Sequence, residues 1–136
     1  MVEVGLKYIA NNASGLTALI GTRFVKVPLP QGTAYPACSY QRIDEPTRVR
    51  AMGSDPGLVQ ARYQVNCYGE KREGAGGAYS ALEVADQIVS AFNRIGEADQ
   101  GGVTICDIFA RLLRDDFDAE AEVMRVIVEL NVWYRE

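Results

Sequence analysis

Val59-Gln60-Ala61-Arg62-Tyr63-Gln64-Val65-Asn66-Cys67-Tyr68 decides the fold of this chain. Val59, Ala61, Tyr63, Val65 and Cys67 alternate with Gln60, Arg62, Gln64, Asn66 and Tyr68. A period of two belongs to a strand with one face buried. The second set is rich in side-chain amides. A similar segment ends the sequence, where Met124, Val126, Val128, Leu130, Val132 and Tyr134 alternate with Arg125, Ile127, Glu129, Asn131, Trp133 and Arg135. That pattern predicts an antiparallel strand with a mixed outer face.

Upstream, Leu6, Ile9, Ala13, Leu16 and Ile20 recur at helical spacing, with Gly21 placed to cap the helix. Gly15 inside this pattern costs about 1 kcal/mol relative to Ala, so a break near Ser14 is compatible with it. Phe24 to Val27 reads as a short strand, stopped by Pro28-Leu29-Pro30-Gln31-Gly32, because proline lacks the amide a ladder needs. Pro36 then opens a second strand, Ala37 to Ile43. Residues 44–58 hold Pro46, Gly53, Pro56 and Gly57 and predict a long flexible loop or hairpin tip.

Gly69 and Gly74-Ala75-Gly76-Gly77 end the strand at 59–68, and a second helix follows from Ala78 to Ile95, with Ala81, Ala85, Ile88, Phe92 and Ile95 as its stripe and Gly96 as its cap. The region 102–114 fits two periods. Ile105, Ile108, Phe109, Leu112 and Leu113 suit a helix, but Gly101-Gly102 and the β-branched start favour a strand. The predicted fold is α+β, a mainly antiparallel sheet with two helices on one face, in the order α-β-β-β-α-β-β. The length of 136 residues fits a single domain, residues 1–136.

Histidine is absent. Ser-His-Asp and Cys-His catalysis and His-ligated zinc therefore fall away. Cys38, Cys67 and Cys106 are an odd number without a CxxC pair, which favours buried thiols in a reducing cytoplasm over a disulfide framework. Lys7, Asn11 and Asn12 interrupt any signal-peptide run, and no stretch approaches the ~20 apolar residues of a membrane helix. The glycine run lacks GxGxxG and GKS/T, so it is no phosphate loop. Net charge is −4, against the basic surplus of a general nucleic-acid binder.

Asp115, Asp116, Asp118, Glu120 and Glu122 are the one candidate metal cluster, but Ala119 and Ala121 break the calcium-loop pattern. A charged hairpin tip is the simpler reading. A metal-dependent hydrolase built on Asp115, Asp116 and Asp118 is the catalytic alternative. Arg42, Arg48, Arg50 and Arg62 form the only basic concentration, and the net negative charge favours a protein partner over phosphate. Alternation splits the aromatics, with Tyr63 and Tyr68 on opposite faces and Trp133 and Tyr134 likewise. An RNA-stacking platform is thereby weakened, and one member of each pair is left for an interface.

Several of these segments together resemble a known family. Pro28-Leu29-Pro30-Gln31-Gly32 leading into Tyr35-Pro36-Ala37-Cys38-Ser39-Tyr40, the strand Ala61 to Gly69, the helix with Ala81, Ala85, Val89 and Phe92, and the strand Val126 to Tyr134 resemble the tail terminator (tail completion) proteins of long-tailed bacteriophages. The resemblance spans nearly the whole chain. It implies a non-enzymatic virion protein without catalytic, metal or cofactor site, made in the bacterial cytoplasm and placed at the head–tail junction. It further implies a homo-hexameric ring that caps the tail tube, stops its growth and joins the head connector, with DNA passing through unbound. Another neck or connector component is the close alternative. On this reading Arg42, Arg48, Arg50, Met52, Arg62, Tyr68 and Trp133 are the candidate interface residues.

Overall fold

The computed structural model describes residues 2–30, 32–44, 47–48, 57–69, 75–96, 98–100, 103–118 and 123–135, with the backbone alone at 47–48, 75–79, 98–100 and 116–118. The elements are α1 (Val2–Asn12), α2 (Ser14–Ile20), β1 (Phe24–Lys26), β2 (Ala37–Arg42), β3 (Thr47–Arg48), β4 (Leu58–Tyr68), α3 (Ala75–Phe92), β5 (Ala98–Gln100), β6 (Val103–Asp118) and β7 (Val123–Arg135). The α+β class and the order of the main strands are as the sequence predicts. The structure adds α2, β3 and β5, so the helices are three where two were expected.

The N-terminal helix breaks at Ala13, which adopts extended angles (φ −88°, ψ 103°). Gly15 faces the side-chain amide of Gln87 on α3, the movable end of a flexible side chain, where α2 packs against α3. The Gly76-Gly77 pair, expected in a turn, lies instead in the first turn of α3. The amides of a first helical turn lack intrahelical partners in any case. At its other end α3 stops at Phe92, short of the expected Ile95. Arg94 turns into the left-handed region (φ 56°), and its N–H donates to Ile108 O at 2.6 Å.

A seven-stranded sheet runs β1-β2-β4-β7-β6-β5, with β3 beside β2 along the same edge of β4. Only β1 and β2 are parallel. The central ladder pairs β4 and β7 from Leu58↔Arg135 to Tyr68↔Arg125. This register sets Ala61 opposite Val132, Tyr63 opposite Leu130 and Val65 opposite Val128, all buried beneath the helices. β3 pairs with Val59 and Gln60, so the 44–58 segment is a hairpin at 47–48, and residues 49–56 lie outside the described residues. β6 is a strand, with register shifts at Cys106 and Leu113. α1 touches both β1 and β5, the outermost strands, so the sheet curves enough for one helix to bridge its edges.

Phe24 is fully buried, stacked on Tyr40 at 4.9 Å and on Phe92 at 5.8 Å, and Tyr40 meets Tyr63 edge-on at 6.3 Å. This aromatic row ties β1, β2, β4 and α3 together. Phe24→Ala is expected to cost about 3–5 kcal/mol, read from urea denaturation. Cys38 and Cys67 face each other across β2 and β4 as buried free thiols, whereas Cys106 is half-buried. Burial, and then the hydrogen bond with Cys38, push the Cys67 thiol up. Burial, with Glu3 nearby, does the same to the Tyr40 and Tyr63 phenols.

All three groups hold their protons longer folded than unfolded. Their contribution is therefore whole below the unfolded values, roughly 8.5 for a thiol and 10 for a phenol, and is lost as pH rises beyond them. The melting temperature should hold to about pH 8.5 and decline above it. Tyr63→Phe should flatten the part of the decline above about pH 10 in a pH series of thermal melts.

Candidate functional site

Alternation gives the sheet a second face, which no helix covers among the described residues. Gln60, Arg62, Gln64, Asn66 and Tyr68 of β4 stand there beside Arg125, Ile127, Glu129, Asn131 and Trp133 of β7. Its amides satisfy one another. Gln64 Nε2 donates to Asn66 Oδ1 at 2.9 Å, and Asn66 Nδ2 donates to Ser39 Oγ at 3.3 Å. Gln60 Nε2 donates to Asn131 Oδ1 at 3.3 Å, and Asn131 Nδ2 to Glu129 Oε1 at 3.2 Å. Arg111 lies 3.9 Å from the same Glu129 oxygen, so this buried carboxylate is both paired and hydrogen-bonded.

At the β2 end, the segment from Val27 to Tyr35 arches over this face. Val27–Pro28 and Tyr35–Pro36 are cis peptides, Val27 N donates to Tyr40 O at 3.0 Å, and Arg23 Nε donates to Pro36 O at 2.9 Å. The Tyr35 ring leans on Tyr68, with centroids 5.9 Å apart. Beneath the arch is a cavity of about 700 Å³. Pro28, Leu29 and Pro30 form one wall, Ser39, Gln41, Gln64 and Asn66 the floor, and Arg125 is its only charge. Amides, the hydroxyls of Thr33 and Ser39, two phenols and one cation can hold a polar surface, and no carboxylate or thiol is among the described lining residues.

The described members of the expected interface set are divided between the two faces of the sheet. Arg62 stands on the open face and binds Asp44 Oδ2 through Nε at 2.8 Å, a contact that raises its affinity for its proton. Arg42 is opposite Tyr63 in register, which puts it on the helix side. Alternation therefore separates two arginines that the sequence suggested as neighbours. Arg48 belongs to β3, its side chain outside the described residues, and Arg50 and Met52 lie outside them entirely. Tyr68 is only 8% exposed, because Tyr35 covers it, so it lines the cavity and does not project from the surface.

Trp133 is half-buried on the open face, and its indole Nε1 is enclosed without a hydrogen-bond partner among the described residues. Tyr63 and Tyr134 are in the core, as alternation predicts. The arch was the feature sequence reading missed. Its signal was present in three prolines at 28, 30 and 36 bracketing Tyr35. Among the described residues no three acids or cysteines gather as a metal site, and no helix is long and apolar enough to cross a membrane. Asp115 is exposed, and the side chains of 116–122 lie outside the described residues.

Residues 10–135 match the family model described as tail completion protein gp17. The chain belongs to this family. Among solved structures, a chain described as "Virion of native gene transfer agent (GTA) particle" is similar in fold, with a TM-score of 0.68 and 14% identity. The match covers 98% of this chain and 92% of that one. No curated protein matches. As a tail completion family member the protein is a structural component of a virion.

Asn66 is buried and joins Gln64 to Ser39. Asn66→Ala should cost about 1–3 kcal/mol through the donors and acceptors left behind. Asp44→Ala, at an exposed ion pair, should leave the urea midpoint unchanged.

Proposed function

We propose that the protein closes the head-proximal end of a tail tube as a ring of identical subunits, halting growth of the tube and offering its other side to the head connector. The match of residues 10–135 to the tail completion family carries this reading. Three physical features support it. A closed ring needs unlike patches that meet head to tail, and the two sides of this molecule differ completely. The open face is polar yet internally hydrogen-bonded, so covering it strands few groups. The net charge of −4 lets a ring pass DNA without holding it, because carboxylate repels phosphate.

The ring proposed is a hexamer, and its partners are the tube subunit below and the connector above. Electron microscopy of tails assembled with and without the protein tests the role. With it, tubes should share one length and carry a cap at one end. Without it, they should be longer and uneven. Identical length distributions in the two samples would remove the terminating function.

A further inference from the structure

Two exposed apolar patches lie outside everything described so far. On α1, Val4 and Tyr8 are 50% and 49% exposed, and with Lys7 and Asn11 they form one stripe at i, i+3, i+4 and i+7. On β6, Leu112 and Leu113 are 41% and 40% exposed. Phe109 is exposed too, but Arg94 covers one side of its ring at 4.6 Å.

The β6 patch follows from the sheet. β5 pairs only with Val103 to Ile105, and the end of α3 satisfies the next stretch, where Arg94 N reaches Ile108 O and Asn93 Oδ1 accepts from Ala110 N. Beyond Ala110 neither β5 nor α3 covers that edge. Leu112 is paired with Val128 and Asp115 with Val126, so both stand on the helix side of the sheet, exposed on its outer strand while their partners are buried. The shift at Leu113 brings these two positions, three apart in sequence, to the same face.

The patches complement each other in charge. Lys7 sits between Val4 and Tyr8, and Asp115 lies next to the two leucines. Both are exposed, and neither is in an ion pair among the described residues. Within one copy Val4, Tyr8, Leu112 and Leu113 all stay exposed, so neither patch covers the other.

We propose that the distal half of β6 docks on the α1 stripe of a second copy of this chain, Leu112 and Leu113 against Val4 and Tyr8, with Asp115 beside Lys7. The contact joins unlike surfaces, so repetition leads from copy to copy and closes when the rotation allows. It rests on the ring reading above and deepens it by naming the two surfaces.

Reciprocal charge reversal tests the contact. Wild type, Lys7→Glu, Asp115→Lys and the double variant are compared by sedimentation across a concentration series, after circular dichroism has established that each is folded. Each single reversal should weaken association about tenfold, since it sets like charges together. The double variant should regain wild-type association. An equal mixture of the two single variants should regain it as well, because every junction of an alternating assembly then pairs opposite charges. Single variants that weaken without rescue in either arm would overturn the pairing. Assembly unaffected by both single reversals would overturn the contact while leaving the ring reading intact. A wild type that stays monomeric at every concentration and forms no ring on tube ends would overturn both.

Discussion

The pairing of odd positions on β4 with even positions on β7 is the constraint on which the rest of the structure depends. Tyr63, Val65 and Cys67 meet Leu130, Val128 and Val126, and all six are buried. A slip of one residue would turn one strand's entire apolar set outward and place its amides under the helices. Each misplaced amide would then lack a partner, at about 1–3 kcal/mol apiece. On β4 that concerns Gln60, Gln64 and Asn66, besides the apolar partners lost along the ladder. The register is thus fixed from within. The positions of β2 on one side and β6 on the other follow, because each reads its own register from an already committed strand.

That explains which parts of the fold were legible in the sequence. Where alternation was unbroken, in β4 and β7, strand type, extent and faces were readable to within a residue or two. At β6 the signal was mixed for a physical reason. Ile105 and Ile108 both enter the core, but the shift at Cys106 puts an extra residue between them. A bulge changes the spacing of same-face residues from two to three, which is also helical spacing. The ambiguity lay in the molecule. α2, β3 and β5 escaped as separate elements because each is too short to carry a period. Three residues at β5 or two at β3 depend on the partner strand they join.

The candidate surface was legible in composition and not in geometry. The amides of the open face could be listed from the sequence, and Trp133 could be assigned to the side opposite Tyr134. Which arginines share a face could not be judged from a run of four. Arg42 and Arg62 part because the register of their neighbouring strands sets even positions of β2 opposite odd positions of β4, Arg42 opposite Tyr63. Nor does a proline-rich segment announce whether it leaves the sheet or folds back across it. Here Tyr35 against Tyr68, and Arg23 bound to Pro36 O, bring it back. A surface was thereby converted into a walled groove.

Edge strands are where a sheet protein must choose between associating in one way and associating in every way. An uncovered edge is a template for any extended chain, and charges placed along it narrow the choice. Along β6 the first part is closed by β5 and the next by the end of α3, where Arg94 accepts an unusual backbone angle (φ 56°) to reach Ile108. Beyond that point Arg111, Arg114 and Asp115 accompany Leu112 and Leu113, and all five are exposed. Charges of both signs beside apolar residues discourage a second strand of arbitrary sequence, since unmatched charges would be desolvated at a cost. A surface that brings its own complementary cation and its own apolar stripe meets no such cost. The strained turn at Arg94 is therefore best understood as part of the same arrangement. It satisfies the stretch of edge where pairing would be indiscriminate and leaves open the stretch where charge can select the partner.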